Sequence, residues 1–388
     1  MPEIARRALS VRDYASRIRF AAAKLLGSSR ENGSPEEPLV TEPWTVDQVD
    51  LTDNEVVVRG WSLPPVGIPS TAIGPIEFRI NGRRCQEARY PLARPEVGAV
   101  FWQRPNAGLS GFECRAPVPN DPYPDGVMVI ERVRVGASPV ERGRDCWFVP
   151  DPRLHEDLPD EDRRYRIVGH RDPIAFLATG ATDYHRLDMA VAAICGRPLH
   201  QFRSVLDWGC GCGRVARHFP VRHANRLTGC DIDHDNANWC SNHLPGRFLP
   251  CTMTPPLPFA AAEFDLVYGV SVFTHLREPL QQAWLDELAR VTSKAAFLLM
   301  TIHCRSALEF ARLLPDEYAR VRSDLDHRGL LVTGENPHLD GYADHGGEYV
   351  NVFHTHKYVR RTWSRHFDVV AVIPGYIFTQ DLVILRRH

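Results

Sequence analysis

The sequence predicts two domains, a small all-β sandwich followed by an α/β domain with a doubly wound parallel sheet. Its 388 residues and 44% hydrophobic content allow two cores of ordinary size. Short apolar runs broken by proline and glycine fill residues 44–150. Predicted strands and helices then alternate through residues 151–388. We therefore expect a domain boundary near residue 150.

An apolar strand that runs into a glycine-rich turn and a helix forms the centre of the α/β part. The stretch is Ser204–His218, in which Val205 and Leu206 end the strand. Its glycines are Gly209, Gly211 and Gly213. They let the backbone pass close to a ligand, and Val215 and Ala216 are expected to open a helix whose unpaired N–H groups favour an anionic group. The spacing G-x-G-x-G differs from the G-x-G-x-x-G of dinucleotide folds.

An acidic residue follows at the distance of one helix and one strand. Asp231 ends the predicted strand that begins near Arg226. In this position a carboxylate can accept hydrogen bonds from both hydroxyls of a ribose. The glycine run alone is also compatible with a plain tight turn, but the two features together indicate a nucleoside-containing ligand.

With the motifs that follow them, these residues resemble the class I S-adenosylmethionine-dependent methyltransferases. The resemblance runs from about Tyr165 to the C-terminus. Its motifs are Val205–Arg214, Asp231, Pro255–Phe259, Phe264–Tyr268 and Ser271–Leu276. It implies a Rossmann-like methyltransferase sheet with an antiparallel last strand, S-adenosyl-L-methionine as the cofactor, and an enzyme that transfers its methyl group.

The resemblance also implies roles for single residues. Asp207 helps to orient the amino group of the cofactor, the glycine loop passes under its methionine part, and Asp231 binds its ribose. Near the adenine, where many relatives carry Asp or Asn, this chain has Cys251, Thr252 and Met253. The predicted cofactor-binding residues are Asp207, Gly209, Cys210, Gly211, Gly213, Asp231, Ile232, Thr252, Met253 and Ser271.

The chemistry of a sulfonium cofactor indicates what else the site needs. Its methyl group is already activated, so a dry pocket that holds the acceptor in line favours transfer without a strong acid. A hydroxyl acceptor also needs a base to remove its proton. We predict that His275, in the loop after the fourth strand, is this catalytic base; the alternative is that it only shapes the loop. The other candidates are His303, His345 and His354.

The sandwich is expected to span residues 44–150. Its strand-like runs are Asn54–Trp61, Ile76–Gly82 and Val127–Val135. The pair Asn81-Gly82 predicts a hairpin turn. Two short motifs resemble small β-domains that accompany glycan-assembly enzymes, Arg94–Val97 and Gly111–Phe112. Three aromatic residues either stack on a sugar face or belong to the core, namely Trp61, Phe101 and Trp102.

Residues 1–43 are predicted to form an amphipathic helix to about residue 28 and a flexible linker over Gly27–Pro38. Apolar residues recur at alternating spacings of four and three, and arginines cover much of the remaining surface. Such a helix can lie on an anionic membrane, pair with a partner helix, or pack on its own protein or a sister subunit. Peripheral membrane binding and self-association are therefore expectations for this segment.

Composition excludes several classes of function. A formal net charge of −2 indicates no broad polyanion-binding face, so we expect no nucleic-acid partner. The ten cysteines contain no C-x-x-C pair, which favours neither a zinc site nor a disulfide framework. Lacking a signal-type or bilayer-length apolar run, the protein is expected to be cytoplasmic. A polar loop carries metal-capable side chains, but no metal is predicted. These residues are His338, Asp340, Asp344 and His345.

The other elements are expected as follows. Residues 151–163 form a linker, and two helices, Asp172–Ala178 and Tyr184–Ile194, are separated by a break at Thr179–Thr182. In methyltransferases helices at this point form a lid, so Tyr184 and His185 either face the active site or pack.

Further along the chain, residues 305–348 are expected to form a substrate-recognition insertion with a helix over Ala307–Leu325. The run Phe264–Phe273 is too apolar for an edge strand and is expected at the centre of the sheet. A turn is predicted at Pro374–Gly375, between the last two strands.

The predicted function is O-methylation of a sugar or glycan hydroxyl with base assistance. The acceptor is a small molecule or a glycan, and a lipid or specialised metabolite is the alternative. Two further hypotheses are a scaffold that keeps the fold without turnover and a nicotinamide oxidoreductase. The presence together of Asp207, Asp231 and the three loop glycines disfavours the scaffold, and the absent G-x-G-x-x-G disfavours the oxidoreductase.

Overall fold

The computed structural model describes residues 43–63, 76–123, 126–134, 143–148, 157–311, 313–335 and 350–388. The predicted N-terminal helix and linker, residues 151–156 of the predicted linker 151–163, and the polar loop with the metal-capable residues lie outside the described residues. In the parts of the chain that are described, no helix is both long enough and apolar enough to cross a bilayer.

The first domain consists of two four-stranded antiparallel sheets that pack face to face. Their orders are β1-β2-β6-β5 and β4-β3-β7-β8. The strands are β1 Trp44–Leu51, β2 Glu55–Ser62, β3 Ile76–Ile80, β4 Arg83–Arg84, β5 Glu87–Ala93, β6 Leu109–Pro117, β7 Val127–Arg134 and β8 Gly143–Phe148, with helix α1 Pro95–Val100 before β6. Phe78 of one sheet stacks on Phe112 of the other with ring centroids 4.3 Å apart. The predicted sandwich is confirmed, as is the hairpin turn at Asn81-Gly82, where both residues have positive φ.

The second domain contains a seven-stranded sheet of order β11-β10-β9-β12-β13-β17-β16. Its strands are β9 Val205–Trp208, β10 Leu227–Asp231, β11 Arg247–Pro250, β12 Phe264–Gly269, β13 Thr292–Ile302, β16 Phe367–Ile377 and β17 Gln380–Arg387. The first five in spatial order are parallel, and β17 runs antiparallel to both of its neighbours. The predicted antiparallel strand near the C-terminus and the central place of the fourth strand are confirmed; β12 ends at Gly269 rather than Phe273.

Helices cover both faces of this sheet, as a doubly wound fold requires. The helices are α2 Glu161–Val168, α3 Pro173–Cys195, α4 His234–His243, α5 Glu278–Val291, α6 Arg305–Phe310, α7 Pro315–Arg328 and α8 His356–Thr362. Apolar residues of α3 and α4 form the core on one face, and those of α5 and α8 form the core on the other. A separate antiparallel pair, β14 Leu330–Glu335 and β15 Val350–His354, flanks the sheet.

The helix predicted after the glycine loop is wrong. Only a 3₁₀ turn, Ala216–His218, follows there. Phe219 then adopts an extended conformation with φ −68° and ψ 132°, because the proline ring of Pro220 disfavours a helical conformation in the residue before it. An α-helix dipole is therefore missing at this point.

The predicted break at Thr179–Thr182 is also wrong, because α3 continues without interruption through these residues. Gly180 serves close packing instead. A Cβ at this position would lie 2.1 Å from the carbonyl oxygen of Arg214, which is shorter than van der Waals contact. The glycine thus allows α3 to lie directly against the end of the glycine loop.

Prolines and acidic residues set two other helix boundaries. The end of the predicted linker 151–163 is helical, since α2 begins after Asp160, whose carboxylate accepts a hydrogen bond from the N–H of Arg163 at 2.8 Å. The helix expected over Ala307–Leu325 is divided, because Pro315 begins α7 and holds Leu314 in an extended conformation. The insertion therefore contains two helices and β14.

The last turn lies four residues later than predicted. Strand β16 continues past Pro374–Gly375 to Ile377, and the turn is Phe378–Thr379. Gly375 has a φ of 55° and lies in an irregular part of the register. Its N–H donates to the carboxylate of Asp381 at 2.7 Å, which holds this irregular segment against β17.

The two domains share a hydrophobic core. On the sandwich side Trp61 and Phe101 are 1% and 0% exposed, and Phe101 packs edge-on against Phe310 with ring centroids 4.6 Å apart. The other buried residues of this core are Leu63, Val97, Ala107, Ala307, Leu308, Ala311, Leu313, Tyr318, Val321, Leu325, Leu331 and Phe353. The hypothesis that Trp61 and Phe101 stack on a sugar is therefore wrong, because neither ring has an accessible face.

A buried ion pair crosses the same interface. Arg104 of the sandwich donates through Nε to Oε2 of Glu309 on α6 at 2.8 Å. The two side chains are 2% and 3% exposed. Beside them Trp102 keeps 40% exposure, and its indole N–H donates to the carbonyl of Leu313 at 3.1 Å. The sandwich is thus joined to the helices that directly follow β13.

Candidate active site

The glycine loop follows β9 and is covered by α2. The glycines with positive φ are Gly209 at 78°, Gly211 at 53° and Gly213 at 76°. A Cβ on Gly211 would lie 2.8 Å from Cδ1 of Ile167, so α2 rests directly on the loop. The N–H groups of Gly209 and Cys210 both donate to the carbonyl of Cys230, at 2.8 and 3.0 Å. The side chain of Cys210 is buried, so only its backbone is placed to meet a ligand.

Asp231 lies at the carboxyl end of β10, under the loop. Its Oδ2 accepts a hydrogen bond from the N–H of Gly211 at 2.6 Å, and its Oδ1 accepts one from the N–H of Asp233 at 2.8 Å. Burial raises its pKa to about 6, and these hydrogen bonds and the charge of Arg166 oppose the rise. Each carboxylate oxygen keeps a second lone pair, so the group can still accept two hydroxyl protons.

Asp207 is the second buried carboxylate of the site. Parallel pairing of β9 with β12 places Tyr268 beside it, and the phenol donates to Oδ2 of Asp207 at 3.0 Å. Burial raises the pKa of Asp207 to about 7 and outweighs the hydrogen bond from Tyr268. Two carboxylates therefore flank the glycine loop at the ends of neighbouring strands.

The residues predicted to hold the adenine follow β10 and β11. Cys251 continues from β11, and its N–H donates to the carbonyl of Asp231 at 2.9 Å. Thr252 is exposed, and its hydroxyl donates to a backbone carbonyl two residues further on. Ile232 and Met253 are half-buried against the same core. All four lie at the same end of the sheet as Asp231.

Ser271 lies beyond β12 with a φ of 62°. Its N–H donates to the hydroxyl of Thr301 at 2.7 Å, and its hydroxyl accepts a hydrogen bond from the amide of Gln380. Among the described residues, Oε1 of Gln380 has no hydrogen-bond partner although it is buried. Ser271 is thus held by side chains from β13 and β17, and no sequence pattern predicts this pairing.

The three described histidine candidates differ in what they can do. His275 ends a 3₁₀ turn, and its Nδ1 lies 3.0 Å from the carbonyl oxygen of Val350. A proton donated there leaves Nε2 as the acceptor atom of a neutral ring. His303 is 8% exposed, and burial lowers its pKa to about 3, which makes it a weak base.

His354 is fully buried, and burial lowers its pKa to about 3. The side-chain amide of Gln281 is 2.9 Å from its Nε2. Because this ring contacts protein on all sides, His354 is excluded as a base that meets an acceptor. The fourth candidate, His345, lies outside the described residues.

Residues 205–295 match the family model described as "Methyltransferase domain". The match includes the glycine loop, both carboxylates and the fourth strand with the loop after it. This match confirms the predicted resemblance of this part of the chain to S-adenosylmethionine-dependent methyltransferases.

The methyltransferase domain is similar to three curated ribosomal protein L11 methyltransferases. The relative from Burkholderia ambifaria is 27% identical over 194 residues, which cover 50% of this chain and 60% of the relative. That from Paraburkholderia phymatum is 29% identical over 174 residues, which cover 45% of this chain and 54% of the relative. That from Cupriavidus metallidurans is 26% identical over 233 residues, covering 58% and 72%. The chain therefore spans only a little more than half the length of the first two.

Solved structures of methyltransferases are also similar to it. The 1,6-didemethyltoxoflavin-N1-methyltransferase of Burkholderia thailandensis, solved with S-adenosylhomocysteine, is 14% identical, with a TM-score of 0.37 and coverage of 67% of this chain and 95% of that chain. The magnesium protoporphyrin IX methyltransferase of Synechocystis, also solved with bound SAH, is 14% identical, with a TM-score of 0.37 and coverage of 61% and 100%.

In the methyltransferase domain α2, not Tyr184, covers the loop. Tyr184 is 5% exposed and packs in the core with Phe219, while His185 is half-buried beside it. The guanidinium of Arg166 on α2 pairs with Asp233 at 2.8 Å, next to the ribose position implied for Asp231. Sequence reasoning missed α2, although an Asp N-cap followed by two acidic residues is a helix-start signal.

The raised pKa values give an expected pH dependence for the methyltransferase domain. Asp231 and Asp207, with pKa values of about 6 and about 7, ionise as the pH rises from about 5.5 to 8. An ionised carboxylate accepts hydrogen bonds from hydroxyl and ammonium groups more strongly than a protonated one. Calorimetric affinity for S-adenosylhomocysteine is therefore expected to rise about tenfold over this range. Asp207→Asn should lose the part of the rise near pH 7, and an affinity independent of pH would contradict the raised pKa values.

Proposed function

We propose that this chain transfers the methyl group of S-adenosylmethionine to a hydroxyl of a sugar or glycan. The observation that supports the cofactor is the pair of buried carboxylates, Asp207 and Asp231, on either side of the glycine loop. In this proposal Asp231 accepts hydrogen bonds from the ribose hydroxyls of the cofactor, and Asp207 accepts one from its ammonium group. Between them Gly211 lets Ile167 of α2 lie directly against the loop, because a Cβ there would be 2.8 Å from Cδ1 of Ile167.

The chain's own residues supply orientation, a dry pocket and a base. The bound cofactor supplies an activated methyl group on a sulfonium, whose positive charge disappears during transfer. Ile167 and Val272 lie over the loop glycines and exclude water from them. His275 takes the acceptor proton on Nε2 while Nδ1–H donates to the carbonyl of Val350. Ser271, held by Thr301 and Gln380, keeps its predicted role as a cofactor-binding residue.

The sandwich supports a glycan acceptor. Its motifs are similar to those of β-domains beside glycan-assembly enzymes, and it packs against α6 and α7, which follow β13. Of its three aromatic candidates, Trp102 alone keeps substantial exposed surface, 40%, at this junction. Lipid and specialised-metabolite acceptors are the alternative, and the relatives' names add ribosomal protein L11 as a protein acceptor to test.

The acceptor is tested by a transfer assay with the full chain. S-adenosylmethionine with a labelled methyl group is incubated with panels of sugars, oligosaccharides, glycolipids, small hydroxylated metabolites and ribosomal protein L11. Label in a base-stable, acid-stable ether of a sugar supports the proposal. Label only in protein, lipid or another metabolite assigns a different acceptor, and cofactor binding without any transfer supports the scaffold hypothesis.

His275→Ala is expected to lower the turnover number by at least about tenfold, because a positioned base contributes roughly a hundred- to ten-thousand-fold to such reactions. Affinity for S-adenosylhomocysteine should stay nearly unchanged, since the ring is held by the carbonyl of Val350 in β15. His366→Ala, which changes a half-buried histidine paired with Asp286, is the matched control. Normal turnover in His275→Ala would remove this residue from the catalytic role.

A further inference from the structure

Three side chains of different chemistry meet at the carboxyl end of the sheet, apart from the residues assigned to the cofactor. Cys304, His356 and Asp381 each point one potential ligand atom into the same small volume, and these atoms all lie within 4.8 Å of one another. Cys304 follows β13, His356 begins α8, and Asp381 belongs to β17. Pairing of Ile302 with Asp381 across β13 and β17 brings the first and third together.

The geometry of the cluster is well constrained. Nε2 of His356 and Oδ2 of Asp381 are 2.6 Å apart. The other carboxylate oxygen, Oδ1, accepts a hydrogen bond from the N–H of Gly375 at 2.7 Å, which fixes the orientation of the carboxylate. Asp381 and Cys304 are 1% and 4% exposed, and the His356 side chain is 16% exposed. An ion placed among these atoms would be largely removed from water.

We propose that Cys304 Sγ, His356 Nε2 and an oxygen of Asp381 bind a divalent ion of the zinc class. A sulfur, a nitrogen and an oxygen ligand suit a borderline-soft ion with four ligands, and the fourth position is left for water or another oxygen. Mg²⁺ and Ca²⁺ prefer six or more oxygen ligands, so the thiol disfavours them. On binding, the thiol proton leaves to solvent, and the Nε2 proton that His356 shares with Asp381 leaves to solvent or moves to Nδ1. The charges of the thiolate and the carboxylate then balance those of the ion.

The hydrogen bond from Gly375 supports this assignment. Ligating carboxylates in metal sites are themselves held by hydrogen bonds, and loss of such an outer partner typically costs tenfold or more in affinity. Here the irregular segment of β16 at Gly375 serves that purpose for Asp381. The ion would connect β13, β17 and the start of α8. The three ligands are far apart in the sequence, so no spacing motif could predict them.

The test uses Co²⁺ as a spectroscopic substitute for Zn²⁺. The full chain is treated with a chelator, dialysed and titrated with Co²⁺, and absorption is recorded from the near ultraviolet to the visible. A thiolate-to-metal band that saturates at one ion per chain, with visible bands of a four-coordinate ion, is the expected result. Addition of Zn²⁺ should abolish both and raise the thermal denaturation midpoint. This readout requires neither cofactor nor turnover, so it does not depend on the proposed function.

Three variants test whether the bound ion lies at Cys304, His356 and Asp381. Cys304→Ser should abolish the thiolate band, and Asp381→Asn should weaken Co²⁺ binding by more than about tenfold. Cys195→Ser, which changes a half-buried cysteine elsewhere, is the matched control and should keep the wild-type spectrum. No thiolate band in wild-type protein at millimolar Co²⁺ would overturn the proposal even if every variant misfolded. A band that persists in folded Cys304→Ser would overturn it as well.

Discussion

Asp231→Ala is expected to weaken binding of S-adenosylhomocysteine by about 100-fold or more, because hydrogen bonds to a charged acceptor contribute roughly 1.5–3 kcal/mol each and two ribose hydroxyls lose theirs. The carboxylate also holds the N–H groups of Gly211 and Asp233, so the shape of the loop changes too. Isothermal titration of the purified full chain measures the loss directly, and S-adenosylmethionine should show the same change.

Two control variants separate a loss of cofactor recognition from a loss of folding. Asp235→Ala removes an exposed carboxylate of α4, four residues away, and should leave the affinity unchanged. Asp231→Asn keeps one acceptor oxygen and should fall between wild type and Asp231→Ala. Wild-type affinity in folded Asp231→Ala would remove this residue from the ribose site. Absence of binding to the wild type would overturn the cofactor assignment as a whole.

Glu309→Ala is expected to destabilise the chain by about 3–5 kcal/mol, since it leaves the buried guanidinium of Arg104 without this carboxylate. The midpoint of thermal denaturation should fall on the order of 10 °C. Asp162→Ala breaks an exposed pair with Arg171 and should change stability by at most about 1 kcal/mol. Differential scanning calorimetry of the three proteins gives the comparison.

Replacing both members of the ion pair with apolar residues shows whether the lost stability comes from the charges or from packing. In Arg104→Met with Glu309→Leu, both charges are removed together and the interface stays filled, so most of the stability should return. If the double variant is as unstable as Glu309→Ala, lost packing is the cause and not the loss of this ion pair. If Glu309→Ala itself melts at the wild-type temperature, the ion pair contributes nothing to the interface.

Patterns of residues close together in the sequence were sufficient to predict the centre of the sheet and the cofactor loop. The strand that ends at Trp208, the loop glycines and Asp231 at the end of the next strand are positioned by neighbours close in sequence, so their pattern can be read directly. The hairpin at Asn81-Gly82 is local in the same way. Roles for Thr252, Met253 and Ser271 are still predictions, because their partners in the proposed complex are not protein atoms.

The wrong predictions concern residues whose packing partners lie far away in the sequence. Gly180 suggests a break until the carbonyl of Arg214 is seen against it. Trp61 and Phe101 resemble sugar-stacking residues until α6 covers them. The missing helix after the loop is different, since Pro220 was visible and its effect on Phe219 follows from a known steric rule.

The shared core between the domains also limits how small molecules enter and leave. Separating the sandwich from α6 and α7 would expose the whole apolar interface and the Arg104 and Glu309 charges at once. Helix α2 has only eight residues and rests on the loop through Ile167, with Arg166 as its ionic tether. We expect ligand exchange to proceed through fraying of this short helix while the rest of the molecule stays rigid, so the rate of product release should follow the local opening of α2.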